Sequence, residues 1–538
     1  MSYFDCPAFR RLTCAGLTLS LITFSLVALA TVNGQTHAEF DVRETTISKV
    51  HAEMRSGRLN CERLVRTYLT RIQKFDQPTK LNSMIVLNDR AIRRARELDE
   101  QFAKTGKLLP LHGIPVIVKD NYDTRELQTT AGSILLKGSV PPDDAFQIRK
   151  LKEAGAIVLG KSNMAEWAYS AFFTDSSIAG VTRNPYDLTR VPAGSSGGTA
   201  AAVAANLGMV GLGTDTGNSI RGPSSHCCLV GIRPTQGLTS RDGIVPLFLR
   251  NDIGGPMCRT VEDCALVLSV IAGFDPNDPV TAKSKGKSFN YRDSLKKDGL
   301  VGARIGVFRV LSDTSSADSS IKALFEQAVR DLASKGAVIV DPFDIPDLDA
   351  RKLNQMQNSL WVDTFGHDIE VYLRTRNAPI KNLNDIISAR KYGPFLTSRL
   401  ASSNRSSVPS RLKNPYSADV EDDPLRAKLL RTVVDAMDKQ KLDAFVFPTW
   451  NNPPRKVGDL RSPNGNNSYH IPPATGLPAI TLPMGFDRFK MPAGLQMIGR
   501  EFSESTLFRL AYAYEQSTGH RRPPKKFFAL KEASANKE

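Results

Sequence analysis

Seven histidines in 538 residues are few, and they are scattered; their spacing shows no carboxylate–histidine arrangement of the kind used for nucleophilic catalysis. Cysteine is equally sparse. Cys227 and Cys228 are adjacent with no partner at zinc-type spacing, and Cys258 and Cys264 do not form a CxxC pair, so no metal site and no cofactor are expected. No Gly/Ser/Pro linker or low-complexity break divides the middle of the chain. Length alone would suggest three or four domains, but without a break one large domain is the reading, and 41% hydrophobic residues are enough to bury its core. The net charge of +16 comes without an arginine-rich helix or an interleaved aromatic stripe. A solvated basic surface is therefore expected rather than a nucleic-acid partner.

The N-terminus has what the rest lacks, a long uncharged stretch. Arg10 and Arg11 precede Leu12 to Gly34, whose most apolar part runs from Leu17 to Val32, with small residues at Ala28, Ala30 and Gly34. A basic start, an apolar centre and a small-residue cleavage site describe a secretory signal peptide over residues 1–34. About 16 apolar residues are short for a bilayer span. Export of residues 35–538 is the expectation; membrane association is reserved for the case in which the segment is retained. Loss of Cys6 and Cys14 leaves five cysteines, an odd number, so at least one stays unpaired. Asn404 and Asn466 lie in glycosylation sequons.

Hydrophobic periodicity predicts helices at Thr46 to Arg55, Cys61 to Phe75 and Asp89 to Phe102, then a buried strand at Gly113 to Val118 ending in Lys119. Helix Asp144 to Ala154, strand Ala156 to Leu159, helix Thr199 to Leu207 and strands Met209 to Gly213 and Leu229 to Ile232 follow. Helix Thr260 to Ala272 carries Glu262 and Asp263 in its first turn, where the helix dipole favours them. The alternation continues with strands at 304–309, 337–340, 443–448 and 479–483 and helices at 319–334 and 504–517. Residues 375–422, rich in Asn, Ser and Arg, read as an insertion or lid. Alternating elements predict an α/β fold, one mixed β-sheet covered by helices on both faces.

Gly155-Ala-Ile-Val-Leu-Gly160-Lys161-Ser162 matches the literal pattern of a phosphate-binding loop. Four apolar residues between the glycines are instead the body of a strand, so nucleotide binding is set aside. More informative is Ala193-Gly-Ser-Ser-Gly-Gly-Thr199, followed by an alanine-rich helix and then Gly211-Leu-Gly-Thr-Asp-Thr-Gly-Asn-Ser-Ile-Arg-Gly-Pro223. Glycines here permit close approach of backbone to a ligand. Ser195 is expected to open a helix, and Ser219 to sit in a glycine-rich turn after a strand. A single serine in such a turn is more often a cap. Two of them flanking one short helix–strand pair, with Lys119 closing an earlier apolar strand, point to chemistry.

With these motifs, and with Gly476-Leu-Pro-Ala-Ile480 and Gly494-Leu-Gln-Met-Ile-Gly499 near the C-terminus, the chain resembles the amidase-signature family from about residue 45 to 520. The resemblance implies the family's α/β fold and hydrolysis of an amide C–N bond. It assigns Lys119 as base, Ser195 as bridging serine and Ser219, 24 residues on, as nucleophile. Backbone N–H groups of Thr216, Gly217, Asn218 and Ser219 would form the oxyanion hole. Asn218 replaces a glycine found in many members; asparagine tolerates left-handed backbone, so the N–H donor is expected to survive. Its side chain is expected to narrow the site or contact the acyl group.

The implied partner is a small-molecule amide, with no obligate protein partner. Two alternatives share the signature: a membrane-held lipid-amide hydrolase, and the glutaminase-type component of an amidotransferase, whose cytoplasmic partners export would exclude. His226 and Cys227 lie near Ser219 in sequence, but packing is their expected role. Asp215 and Arg221 are expected to pair and hold the nucleophile turn. Met164 to Phe173 and the 375–422 segment are expected to line the acyl pocket.

Overall fold

A computed structural model describes residues 40–412 and 414–530. The segment assigned as a signal peptide lies outside them. No helix among the described residues is long and apolar enough to cross a membrane.

Among the described residues eleven strands form one sheet: β1 (Met84–Leu87), β2 (Pro115–Lys119), β3 (Ile157–Ser162), β4 (Val210–Thr214), β5 (Val230–Arg233), β6 (Gly254–Cys258), β7 (Arg304–Val307), β8 (Val338–Val340), β9 (Ala444–Pro448), β10 (Ala479–Phe486) and β11 (Pro492–Ile498). Their spatial order is β1-β3-β2-β4-β6-β5-β10-β11-β9-β7-β8. The sheet is mixed, as expected. β2 runs parallel to both β3 and β4, whereas β6 is antiparallel to β4 and β5.

Helix boundaries follow their caps. Helix Cys61–Phe75 begins where the Asn60 side chain accepts the Arg63 N–H, and it buries Leu64, Val65, Tyr68, Ile72 and Phe75 on one stripe. Helix Val261–Ile271 starts at Thr260, whose hydroxyl accepts the Asp263 N–H. Helix Gly197–Ala204 is buried along its whole length, at the centre of the molecule. Only residues this small allow it to lie so close to the sheet: a Cβ on Gly211 of β4 would run into the Thr199 side chain.

Three strands escape sequence pattern. β6 reads Gly-Gly-Pro-Met-Cys, the composition of a turn, yet it is wholly buried between β4 and β5. β1 and β11 are missed for a related reason: their strand character comes from the neighbours they pair with, β3 for one, β10 and β9 for the other. In the segment read as an insertion, helices Leu383–Ala389 and Thr397–Ser403 form and pack Leu383, Ile386 and Leu400 into an apolar cluster with Trp167 and Phe365.

Candidate active site

Parallel neighbours in a sheet end on the same side, so β2 and β4 deliver Lys119 and Thr214 to one place. The Lys119 Nζ is 2.8 Å from the Ser195 hydroxyl and 2.7 Å from the Thr214 hydroxyl. Asn121 also donates to Thr214 Oγ1, at 3.1 Å. Thr214 thus takes up one N–H of the amine, which leaves the lone pair of a neutral Lys119 free to receive the Ser195 proton. Burial drives the Lys119 pKa down to about 7, against the opposing pull of the Asp252 and Asp215 carboxylates.

Ser195 follows a cis Gly194–Ser195 peptide bond and precedes the helix by two residues, so Ser196, not Ser195, is the cap of helix Gly197–Ala204. In the first turn of that helix Gly198 lies against the Asn163 backbone, where a Cβ would collide with the carbonyl oxygen.

The turn after β4 carries Thr216 to Ser219 into a cavity of about 580 Å³. Lys119 and Ser195 are fully buried behind it, while Ser219 retains 5% exposure and lines the cavity itself. That difference separates the two serines: Ser219 is on the cavity wall, and Ser195 is not. The N–H groups of Thr216, Gly217, Asn218 and Ser219 donate to no acceptor among the described residues, whereas those of Ile220 and Arg221 bond the Asp215 carboxylate. Four consecutive backbone donors without an acceptor in a buried turn are rare in folded proteins.

Asp215 holds this turn in place. Its carboxylate, fully buried, receives the Arg221 Nε at 3.0 Å and the Arg233 Nη1 at 3.2 Å. Burial alone would raise its pKa, but the two guanidinium groups bring it down to about 2. Arg221 also donates to the Gly217 carbonyl at 2.9 Å, which ties the turn to the ion pair. The expected pairing of Asp215 with Arg221 is thus present, and Arg233 joins it. At Gly217 the Tyr469 ring lies where a Cβ would come within 2.5 Å.

Asn218 departs from expectation in one respect. Neither it nor Gly217 has left-handed backbone, so tolerance of positive φ is not why asparagine fits. Its amide Nδ2 instead reaches the Gly194 carbonyl at 3.3 Å, joining the turn that carries Ser219 to the residue before Ser195. His226 is buried, its ring centroid 4.6 Å from that of Trp450, and burial lowers its pKa to about 3. It packs, as expected. Lys161, from the phosphate-loop look-alike, sits within β3 and is saturated by the Tyr122 carbonyl, the Thr129 hydroxyl and Asp120.

Thr214, Asn121 and Asp252 were not legible as site residues. Asp252 bonds the Thr216 hydroxyl and accepts the Leu247 N–H at 2.8 Å; burial raises its pKa to about 6. Thr214 carried one usable signal, its place at the end of the strand next to that of Lys119. The outer cavity is lined from both expected segments: Ala168, Tyr169 and Ala171 from one, Arg399 and several serines from the other.

The α/β frame thus places a buried lysine on Ser195 and sets Ser219, with four free N–H donors in its turn, on the wall of a cavity. The chain belongs to the amidase family, whose model matches residues 63–508. It is 32% identical over 511 residues to a probable amidase from Arabidopsis thaliana, covering 90% of this chain and 92% of that one. It is 34% identical over 493 residues to a component of the glutamyl-tRNA(Gln) amidotransferase from a Synechococcus strain, covering 89% and 94%. The native peptide amidase of Stenotrophomonas maltophilia superposes with a TM-score of 0.80 at 36% identity, covering 90% of this chain and 98% of that one. The protein is an amide-hydrolysing enzyme.

Proposed function

We propose that the protein is a serine amidase that cleaves a carboxamide C–N bond through an acyl-enzyme on Ser219. The observation that carries this reading is the contact between a buried lysine of depressed pKa and Ser195, whose segment Asn218 joins to the turn that sets Ser219 on the cavity wall. A serine hydroxyl needs a base to become a nucleophile. Neutral Lys119 takes the Ser195 proton, Ser195 takes the Ser219 proton, and the Ser219 oxygen attacks the amide carbonyl carbon. The oxyanion that forms is received by the free N–H groups of residues 216–219; such donors contribute roughly 100- to 1,000-fold each in rate. Ser195 then protonates the departing nitrogen. Water hydrolyses the acyl-enzyme by the same route in reverse.

The reading extends to partners and place. The enzyme works alone on a small amide and is exported once residues 1–34 are removed. Polar groups in the outer cavity, among them Asp363, Arg399, Ser402 and Ser406, disfavour a long acyl chain and with it a lipid amide. Similarity to peptide amidase supports a carboxamide with a polar body. The test is ammonia release by the purified protein from acetamide, benzamide, amino-acid amides and an oleoyl amide. Turnover of the polar amides without any tRNA or second protein is expected. Ammonia release confined to glutamine, or dependent on an added partner, would overturn the reading.

A further inference from the structure

The outer cavity holds a carboxylate with no salt-bridge partner among the described residues, although Arg399 on the same wall acts on it through space. Asp363 lines it, partly buried, and its two oxygens accept the Phe365 N–H at 3.1 Å and the Ser403 hydroxyl at 2.6 Å. It forms no ion pair among the described residues. Each carboxylate oxygen keeps acceptor capacity beyond those bonds. Five residues on, the fully buried Asp368 adds a second negative charge; it is held by the Thr364 hydroxyl at 2.5 Å and the Leu249 N–H at 3.0 Å, with the His367 ring at 3.0 Å. Arg399 is the cation on this cavity's wall, but it is exposed and not bridged to Asp363. Ser403 is further tied to the Tyr169 hydroxyl at 2.6 Å, so Asp363 is held by groups already in place rather than left to swing into solvent.

We propose that Asp363 receives a protonated amine of the substrate, so that the preferred amides carry an ammonium group at some remove from the scissile carboxamide. The proposal rests on Ser219 acting in the same cavity, as set out above. The ammonium supplies the partner that Asp363 lacks, and the pairing takes place where water is partly excluded. Charge-assisted contacts of this kind are worth roughly a 10- to 100-fold change in affinity.

The test compares ω-aminoalkanamides of increasing chain length with the n-alkanamides of matching length, at pH 8, in the wild type and in Asp363→Asn. Asparagine keeps the shape and an acceptor for the Phe365 N–H. The ratio of kcat/KM for the amine over the neutral amide is expected to be about 10 or more at the best chain length in the wild type, and to fall close to one in Asp363→Asn. The split should lie mainly in KM, since the contact is made equally in ground and transition states. A second variant, Asp363→Glu, should restore part of the preference and shift the best chain length. A wild-type ratio near one at every length, or a ratio unmoved by Asp363→Asn, overturns the inference. If neutral alkanamides are hydrolysed while no charge preference appears, only this inference fails; if no amide is hydrolysed, the amidase reading fails with it.

Discussion

A lysine serving as base makes a quantitative demand on pH. One pKa unit corresponds to about 1.4 kcal/mol, so the fall of Lys119 from the ordinary 10.5 to about 7 reflects about 5 kcal/mol of disfavour for the buried ammonium. The neutral amine is the active form and is lost as pH falls. Roughly one tenth is neutral at pH 6 and nine tenths at pH 8, by simple titration about pH 7. For an amide that does not titrate in this range, kcat/KM should therefore rise about ninefold from pH 6 to pH 8 and then level off. An undepressed lysine would instead give a tenfold gain per pH unit that continues past pH 9. A histidine of ordinary pKa would already be near its plateau at pH 7. The same linkage acts on stability: the native state binds fewer protons than the unfolded chain between about pH 7 and 10.5, so the burial penalty is full below pH 7 and relieved above it. Lys119→Met should remove turnover while raising the unfolding free energy at pH 6. Ammonia release across pH 5.5 to 10, with urea unfolding of both proteins at pH 6, reads both. A plateau complete by pH 6.5, retained in Lys119→Met and abolished in His226→Gln, would refute the reasoning.

Ser219→Ala should abolish turnover with an unchanged circular dichroism spectrum, and Ser195→Ala should cost kcat roughly 100- to 10,000-fold because leaving-group protonation fails; near wild-type rates in either would remove that serine from the relay. Asp215→Ala strands Arg221 and Arg233 in the interior and should cost about 3–5 kcal/mol in chemical denaturation; a loss under 1 kcal/mol would mean the network is not holding the turn. The stability Asp215 lends is present above its unfolded pKa of 3.8 and is lost as pH falls toward about 2. N-terminal sequencing of the exported protein should find a start between Thr31 and Gln35; Met1 to Ala30 intact in a membrane fraction would favour an anchored enzyme.

Much of the frame could be read from the chain because it is local. Helices Cys61–Phe75 and Ser319–Ser334 were legible to the residue, since their apolar stripes and caps need no distant neighbour. The buried strand ending at Lys119 and the two glycine–serine turns were legible for the same reason, and the resemblance gave the serines and lysine their roles. Strand β6 was not, because Gly-Gly-Pro becomes strand only when β4 and β5 supply its hydrogen bonds.

Sequence by itself thus placed a lysine at the end of an apolar strand and two serines in glycine-rich turns, and the resemblance supplied their expected roles. What only the tertiary structure decided is who surrounds them. Thr214 orients the amine because β2 and β4 are parallel neighbours. Arg233 completes the ion pair on Asp215 from a strand two places away in the sheet. Asp363 meets the cavity from the short connection between helices Ala350–Leu360 and Phe365–Arg374, 144 residues beyond Ser219. Electrostatics acts through space rather than along the chain, so the charges that tune this site and select its ligand become visible only once the fold has brought them together.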